Sequence, residues 1–288
     1  MKKQTNNLVS IIINCHNGEK FVERCINSVL NQSYKKFEVI FWDNKSTDNT
    51  YEKIIQFKDK RIKYFRSQNF TKLYQARNLA IKKAKGYFVS FLDIDDTWEK
   101  NKLKKQIMKL IKNKYDVCFT NHWIMTNKKK IFKLNLTSKN IFEQILNDYP
   151  ISILTVMMKR DIFVKNNFFF DRRFEIIGDF DFFFRISKIK KFCYIKEPLA
   201  TYYVHSSNLS IRKVSTEIKE FNIWITKNKS ILNTCSNTII EKNNIRKCNY
   251  LLSQNRLSIF SKEIKYLSSL KLKLKFFVKI VLKKINLI

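Results

Sequence analysis

The chain has 288 residues, enough for one large α/β domain with an appendage or for two modest domains. Its composition is 44% apolar, which allows a buried core and excludes a wholly disordered chain. The formal net charge of +33 suits a polyanionic partner such as nucleic acid, an acidic membrane or a phosphorylated small molecule. Because Lys, Asn and Ile are abundant throughout, an AT-rich coding sequence explains the charge equally well. The charge alone therefore identifies no partner.

The N-terminal half alternates between strand-like and helix-like patterns with short connections. Short apolar, β-branched runs are typical of buried parallel strands, and apolar residues at helical spacing lie between them. This rhythm predicts an α/β fold with a Rossmann-like, mostly parallel sheet flanked by helices. The predicted strands are 8–13, 37–42, 62–64 and 87–92, and the predicted helices are 19–30, one through Ile54 and Ile55, and one carrying Ala76, Ala80 and Ala84.

The pattern continues past the fourth strand and loosens after Asn127. The sequence beyond Ile211 is helical and basic, so we divide the chain into a catalytic domain, residues 1–210, and a helical C-terminal extension, residues 211–288. The later predicted elements are a helix over 98–111, strands over 116–119, 131–136, 153–158 and 200–204, and helices over 141–146 and 180–187.

Polar side chains follow three of the predicted strands at the points where they end. Asn14, His16 and Asn17 follow the first strand, Asp43 ends the second, and Asp93-Ile94-Asp95 follows the fourth. Sheets of this kind bind ligands at the carboxyl ends of their parallel strands. Three polar clusters at one edge are more than a buried sheet requires, and they predict a ligand site there.

The closely spaced carboxylates of Asp93, Asp95 and Asp96 are the first candidate for chemistry. In an extended segment residues i and i+2 project to the same side, so Asp93 and Asp95 can present two carboxylates to one ligand. Such carboxylates repel each other unless a cation compensates, and hard oxygen ligands suit Mg²⁺ or Mn²⁺. The alternative is a solvated acidic turn in which Asp96 caps the following helix. The position directly after an apolar strand strengthens the metal interpretation, but the residues alone leave both alternatives open.

Asp43 and Arg77 are candidates for contacts to a nucleotide. A carboxylate at Asp43 can accept the imide N–H of uracil, and the Arg77 guanidinium can contact a pyrophosphate or orient Asp93. The simpler alternatives are a turn or capping role for Asp43 and a surface salt bridge for Arg77. Taken alone, Asp43 favours the turn or capping role, and Arg77 leaves both alternatives open.

Two aspartates, Asp179 and Asp181, lie in the aromatic segment that runs from Gly178 to Arg185. A partly buried aspartate has a raised pKa and can take a proton from an attacking hydroxyl. The alternative is that Asp179 caps a helix while Asp181 pairs with Arg185 one turn later. His205, after the last predicted strand, is a candidate to contact a phosphate or a metal, although a lone histidine there is usually structural.

Together these motifs resemble family 2 glycosyltransferases, which have the GT-A fold. The likeness spans roughly residues 8 to 210, and the order and spacing of the motifs make it specific. Asn44 and Lys45 replace the Asp and Gly usual in that family, and Gly178 stands where it often has Glu. The matching segments are Val9–Asn17, Trp42–Thr50, Ala76–Asn78, Phe91–Trp98, Asp179–Arg185 and Tyr203–Ser210.

The resemblance implies a binding site for a nucleotide-sugar donor. Asp43 would bind the base, and Arg77 would bind the diphosphate or the metal motif. Asp95, with Asp93, would hold Mn²⁺ or Mg²⁺, and His205 would help to bind the diphosphate. The nucleotide loop would comprise Asn14, His16 and Asn17.

The resemblance also implies an inverting, single-displacement reaction with Asp179 as general base. The base would activate a hydroxyl of a saccharide or lipid-linked oligosaccharide acceptor, which would attack the anomeric carbon of the donor, expected to be a UDP-sugar. The metal and Arg77 would stabilise the departing diphosphate. Synthesis of a bacterial surface polysaccharide, such as lipopolysaccharide or capsule, is the expected role.

Two alternatives from other classes compete with this interpretation. A sugar nucleotidyltransferase usually carries a Gly-rich, basic phosphate loop near its N-terminus, whereas Gly18 is the only early glycine here. A nucleic-acid-binding protein would need basic residues and exposed aromatics on one face, but the aromatics mostly lie in apolar runs. We therefore expect an enzyme and no nucleic-acid partner.

The sequence also favours a cytoplasmic location. The six cysteines are scattered, which is typical of core thiols in a reducing compartment and argues against a zinc site. Leu8–Ile13 is too short for the apolar region of a signal peptide, and no run reaches the ~18 apolar residues of a spanning helix. The basic and apolar segment Leu270–Ile288 predicts peripheral contact with an anionic membrane, with packing on the catalytic domain as the alternative.

Overall fold

The structure is a computed structural model that describes residues 7–127, 129–133, 140–235, 238–268, 272–276 and 279. The chain divides into two compact units. The first comprises Met1–Ile145 and Tyr149–Ser206, and the second comprises Leu146–Asp148 and Ser207–Ile288.

The first unit contains a nine-stranded sheet and the helices that cover it. The strands are β1 (Val9–Cys15), β2 (Phe37–Asp43), β3 (Ile62–Arg66), β4 (Phe88–Asp93), β5 (Thr97–Trp98), β6 (Val117–Thr126), β7 (Lys129–Lys133), β8 (Met157–Lys159) and β9 (Phe192–Tyr203). The helices are α1 (Val22–Leu30), α2 (Thr50–Ile55), α3 (Leu73–Lys83), α4 (Lys102–Lys112), α5 (Ile141–Asp148, whose last turn belongs to the second unit), α6 (Asp161–Val164) and α7 (Gly178–Ser187).

The strand order is β3-β2-β1-β4-β8-β6-β9-β5, and β7 pairs with β6. The first four strands in this order are mutually parallel, whereas β8 runs antiparallel to both β4 and β6. Every residue of β1 and β2 is buried, which explains why these strands are continuous apolar runs rather than alternating ones. The predicted α/β sheet flanked by helices is confirmed.

Two predicted elements are wrong in detail. The predicted helix over 98–111 begins only at Lys102, because Trp98 lies in β5, which pairs with β9. The predicted strand over 153–158 is a 3₁₀ turn at Ile153–Thr155 followed by β8. The turn presents the Leu154 carbonyl to the indole N–H of Trp98 at 2.8 Å, a contact that a continuous strand would not make in this way.

The second unit is helical. Its core consists of small and medium apolar side chains together with Phe260 and Phe276. Among the described residues, no helix is long and apolar enough to cross a bilayer. Most of the predicted membrane-contact segment, Leu270–Ile288, lies outside the described residues. The helices of this unit are α8 (Leu209–Arg212), α9 (Val214–Lys227), α10 (Lys229–Cys235), α11 (Thr238–Ser253) and α12 (Leu257–Glu263).

One lysine is enclosed in the first unit. Lys102 is fully buried, and its Nζ donates to Ser90 Oγ at 3.1 Å and to Gln106 Oε1 at 2.8 Å. The ammonium also lies 3.9 Å from the centre of the Trp98 ring. Burial lowers the pKa of Lys102 well below its ordinary value, opposed by Cys118. The folded chain therefore holds a proton here less tightly than the unfolded chain does.

We expect Lys102→Met to change the pH dependence of stability. Between the lowered folded pKa and the unfolded value of about 10.4, the unfolded chain binds the extra proton, so the free energy of unfolding of the unaltered chain falls as pH decreases. The variant lacks this titration. For each unit by which the pH is lowered, its free energy of unfolding therefore rises relative to that of the unaltered chain by up to about 1.4 kcal/mol. Urea titrations at pH 7 to 10 measure this, and Lys104→Met, on the exposed face of α4, is the control. Parallel curves for both variants would contradict the prediction.

Candidate active site

The parallel strands bring the predicted polar clusters to one edge of the sheet. Asn14 lies opposite Asp93 in the pairing of β1 with β4, and Cys15 lies opposite Asp43 in the pairing of β1 with β2. Within the described chain, the buried side-chain nitrogen of Asn14 has no hydrogen-bond partner. An unpaired buried donor costs free energy unless a ligand or water accepts its hydrogen bond, so Asn14 is available to a ligand at this edge.

The loop after β1 is tied to the loop after β2. Asn17 takes a left-handed backbone conformation with φ of 53°, and its Oδ1 accepts the Thr47 N–H at 2.8 Å. His16 Nδ1 lies 3.1 Å from the carbonyl oxygen of Asn44. The His16 ring is 4.7 Å from that of Phe70, whose side chain is 58% exposed. These two exposed rings offer a surface on which a nucleobase can stack.

Asp43 is more enclosed than its predicted role suggests. Its side chain is fully buried, Oδ1 accepts the Ser46 N–H at 2.7 Å, and Oδ2 accepts the Tyr64 hydroxyl at 2.6 Å. The carboxylate therefore holds the loop after β2 against β3. Its contact to a base stays a prediction.

Arg77 is buried on α3 and forms an ion pair with Asp93 at the end of β4. Burial alone would lower the pKa of Arg77. The neighbouring Asp93, Tyr74 and Asp179 outweigh burial, so the pKa of Arg77 lies above its usual range. The guanidinium is therefore permanently charged, and it interacts with carboxylates of both groups that the sequence named, Asp93 and Asp179. Its position excludes the surface salt bridge that the sequence alone allowed.

Asp95 lies beside His205, with Oδ2 3.0 Å from His205 Nε2. The His205 ring stacks on Phe21, with the ring centres 5.1 Å apart. Burial, and then the charge of Asp93, raise the pKa of Asp95. The structure thus brings His205 to the acidic motif from about 110 residues further along the chain.

Asp96 is almost completely buried behind the other two aspartates. Its Oδ1 accepts the Tyr203 N–H at 3.0 Å, whereas Oδ2 has no hydrogen-bond partner within the described chain. Burial, and then Asp95 and Asp93, raise the pKa of Asp96 well above its usual value. Its backbone N–H donates to the Asp93 carbonyl, so Asp96 closes a turn rather than capping the start of α4.

The donor set of this motif fits a divalent cation. Two carboxylates, Asp93 and Asp95, and the imidazole of His205 provide oxygen and nitrogen ligands that suit Mn²⁺ or Mg²⁺. The pKa values of Asp95 and Asp96 are both raised by burial and by the neighbouring carboxylates, and Asp96 Oδ2 has no hydrogen-bond partner within the described chain. As they stand, however, the described residues contain no cluster of three such side chains close enough to enclose an ion.

Asp179 lies in the first turn of α7, where the sequence placed the candidate base. Its Oδ1 accepts the Phe180 N–H at 2.8 Å and the Tyr74 hydroxyl at 2.9 Å. Burial raises the pKa of Asp179, opposed by the charge of Arg77 and by hydrogen bonds. Asp181 pairs with Arg185 at 2.8 Å, as expected for the structural alternative. The two neighbouring aspartates thus have different environments.

Two tyrosines at this site were absent from the sequence interpretation. Tyr74 is fully buried, contacts Asp179, and lies one turn before Arg77 on α3, a spacing at which a helix-face argument could have found it. Tyr149 lies close to the same carboxylate, and burial and then Asp179 raise the pKa of Tyr149 well above its usual value. No motif in the sequence connects Tyr149 with α7.

The comparison with protein families decides the assignment. Residues 10–178 match the model "Glycosyl transferase family 2". The chain belongs to this family. The resemblance drawn from the motifs is therefore confirmed, and it favours sugar transfer over the nucleotidyltransferase and nucleic-acid-binding alternatives. The matched range ends directly before Asp179, so the roles of Asp179 and His205 depend on the geometry described above.

Individual relatives agree with this assignment. The chain is 37% identical to the Escherichia coli UDP-Glc:alpha-D-GlcNAc-diphosphoundecaprenol beta-1,3-glucosyltransferase WfgD over 54% of this chain, and it spans only 61% of that relative's length. Its fold is similar to that of S. aureus TarS 1-349 in complex with UDP-GlcNAc, with a TM-score of 0.62, 19% identity, and 84% and 71% of the two chains covered.

A second solved structure matches over more of the chain. It is the mannosyltransferase PcManGT from Pyrobaculum calidifontis in complex with GDP-Man and Mn²⁺, with a TM-score of 0.63, 14% identity, and 96% and 87% of the two chains covered. At these identities the structural similarities show the fold alone, and that fold is GT-A, as the sequence predicted.

We expect Arg77→Met to destabilise the chain by about 2 to 4 kcal/mol, because it leaves Asp93 without its buried partner. Urea unfolding at pH 7 measures the loss. The matched control is Arg61→Met, which breaks the more exposed pair with Asp59 and should cost no more than about 1 kcal/mol. Equal losses in the two variants would contradict an organising role for Arg77.

Proposed function

We propose that this chain is an inverting glycosyltransferase that moves a sugar from a nucleotide-diphosphate sugar to an acceptor hydroxyl, with residues 1–210 as the catalytic domain and 211–288 as a helical extension. One observation carries the proposal: the buried Arg77 is ion-paired with Asp93 of the acidic motif at the end of β4 and also interacts electrostatically with Asp179 on α7. A transferase of this kind needs a site for a departing diphosphate and, next to it, a base for the incoming hydroxyl.

Asp179 takes the role of general base. It is partly buried, which raises its pKa toward the operating pH and makes it a better proton acceptor than an ordinary aspartate. The nearby charge of Arg77 opposes this shift and keeps the carboxylate available in its ionised form. Asp179 removes the proton of the acceptor hydroxyl as the hydroxyl oxygen attacks the anomeric carbon.

The edge of the sheet takes the nucleotide diphosphate. Arg77 and His205 provide positive charge and a hydrogen-bond donor for the phosphates, and the unpaired nitrogen of Asn14 offers another donor. His16, with Phe70 beside it, stacks on the base, and Asp43 and Asn17 hold the loops that surround it.

The acidic motif takes a divalent cation, Mn²⁺ or Mg²⁺. Asp95 is the principal ligand, with Asp93 and His205 in support, because Asp93 is already paired with Arg77. When bound, the ion stabilises the negative charge that develops on the departing diphosphate. The Mn²⁺ complex of the Pyrobaculum mannosyltransferase supports this proposal.

The donor and acceptor classes follow from the relatives. WfgD is named for transfer from UDP-Glc to a diphosphoundecaprenol-linked sugar, and TarS was solved with UDP-GlcNAc. We infer a UDP-sugar as donor and a saccharide or lipid-linked oligosaccharide as acceptor, in the synthesis of a bacterial surface polysaccharide. Because such acceptors lie at the membrane, we infer that the enzyme works in the cytoplasm at the inner face of the membrane.

UDP release from a panel of UDP-sugars, with Mn²⁺ or with EDTA, tests the activity. We expect release that requires the metal and that falls by at least about 100-fold in Asp95→Ala, because the departing charge loses its stabilisation. Asp179→Asn should lose a similar factor, since a general base contributes about 10² to 10⁴. Asp181→Asn is the control for Asp179, because Asp181 pairs with Arg185 instead of the site. Full activity of Asp95→Ala in EDTA would overturn the metal assignment.

The C-terminal segment provides a separate test of location. Its alternating lysines and apolar residues suit an anionic bilayer surface, where each basic residue contributes about 1 kcal/mol. We expect replacement of Lys273, Lys275 and Lys279 by Gln, which leaves the core residue Phe276 in place, to shift the protein from sedimenting with vesicles that contain phosphatidylglycerol to remaining in the supernatant. The unaltered chain with neutral phosphatidylcholine vesicles is the control. Unchanged sedimentation of this variant would reject membrane contact through these lysines.

A further inference from the structure

The contact between Tyr74 and Gly178 explains a departure of this chain from its family's pattern. An added Cβ at Gly178 would lie 2.4 Å from Cδ2 and 2.6 Å from Cγ of the Tyr74 ring. Real side chains do not approach so closely, so the ring occupies the space that any side chain at position 178 would need. Because the ring is buried, it has little room to move. Gly178 and Tyr74 are therefore complementary.

The position of the ring places its hydroxyl on the candidate base. Tyr74 Oη lies 2.9 Å from Asp179 Oδ1 and also 2.9 Å from the Ile176 carbonyl oxygen. A tyrosine has one hydroxyl hydrogen, and an ionised carboxylate is a stronger acceptor than a peptide carbonyl. The hydrogen therefore goes to Asp179 when the carboxylate is ionised.

The two carboxylate oxygens of Asp179 thereby become different. Oδ1 accepts the Tyr74 hydroxyl and the Phe180 N–H, which together occupy its two lone pairs. A proton arriving at Oδ1 would meet a donor already directed at that oxygen. Oδ2 takes part in neither of these two bonds, so a proton can be accepted there without displacing Tyr74 or Phe180, although the Tyr149 hydroxyl also stabilises the ionised carboxylate.

We propose that Tyr74 is a positioning residue for Asp179, holding Oδ1 so that Oδ2 receives the proton of the acceptor hydroxyl. This inference rests on the proposed role of Asp179 as general base. In the reaction, the acceptor O–H bond breaks and a new O–H bond forms at Oδ2, while the electron pair of the acceptor oxygen forms the bond to the anomeric carbon. The bond from that carbon to the diphosphate oxygen breaks at the same time, and its electron pair leaves with the nucleoside diphosphate. Tyr74 keeps its own hydrogen throughout.

A variant that tests the effect of the Tyr74 hydroxyl on the Asp179 pKa must leave the other charged and titratable groups around Asp179 unchanged. They are Arg77 from α3 and Tyr149, which follows α5. Tyr74→Phe keeps the ring against Gly178 and leaves Arg77 and Tyr149 in place. It removes only the Tyr74 hydroxyl, which is one of the groups that stabilise the ionised carboxylate.

The test combines a titration with a rate measurement on Tyr74→Phe. Carbonyl-labelled aspartate and ¹³C NMR give the Asp179 pKa directly, with the signal assigned from its loss in Asp179→Asn. We expect this pKa to rise by about one unit, the equivalent of one hydrogen bond to the ionised form. The acidic limb of the pH profile for UDP release from the best UDP-sugar of the panel should move upward equally, with the KM for the donor changed less than twofold.

Tyr34→Phe is the matched control, because it removes a tyrosine hydroxyl that donates to the Asn7 carbonyl, and it should shift neither the pKa nor the profile. An unchanged Asp179 pKa in Tyr74→Phe would overturn the inference. Full activity of Asp179→Asn would instead overturn the proposed function, so the two failures are distinguishable.

A second pair of variants tests the steric relation independently of activity. We expect Gly178→Ala to lower the thermal midpoint by several degrees, because the new methyl group displaces the Tyr74 ring. In the background of Tyr74→Ala, which removes the ring, the same change should cost nothing further. Equal losses in both backgrounds would show that the ring and position 178 are not coupled, and would overturn the positioning of Tyr74 described here.

Discussion

A single buried guanidinium, that of Arg77, organises the charges at the carboxyl edge of the sheet. The site gathers four aspartates within one region, and such a collection would be strongly destabilising if all were ionised without compensation. Arg77 pairs with Asp93 and also opposes the burial that raises the pKa of Asp179, so one charge from α3 acts on both the sheet and α7. The remaining acidic groups, Asp95 and Asp96, have raised pKa values, which is the condition that a bound cation relieves.

Much of this site was predictable because parallel strands place their carboxyl ends together. Asn14, Asp43 and Asp93 follow apolar runs, and the pairing of β1 with its two neighbours makes their proximity a consequence of topology. The position of Arg77 was also readable, since the small residues of α3 let that helix approach the sheet. What the residues alone could not decide was whether Arg77 is buried, because burial depends on elements that follow it by about 100 residues.

The contacts that the sequence did not reveal are those between distant segments. Tyr74 and Asp179 are 105 residues apart, and His205 and Asp95 are 110 apart, with no periodic pattern connecting either pair. The same reason explains the errors in the fold. Trp98 has the apolar character of a helix residue, but its backbone pairs with β9, and that partner lies outside any local window. Tertiary pairing overrides local propensity at these positions.

In the proposed function, one group of residues holds the donor and Asp179 activates the acceptor, and Arg77 interacts with both Asp93 and Asp179. Isothermal titration of UDP in the presence and absence of Mn²⁺ tests this separation most directly. The predicted result is UDP binding that depends on Mn²⁺ and stays within about twofold of the unaltered chain in Asp179→Asn. In Asp95→Ala the UDP affinity should fall by at least about tenfold, because the lost interaction between the Asp95 carboxylate and the cation exceeds the 1.4 kcal/mol that a factor of ten represents. Equal UDP affinity with and without Mn²⁺, or a loss of UDP binding in Asp179→Asn, would contradict it.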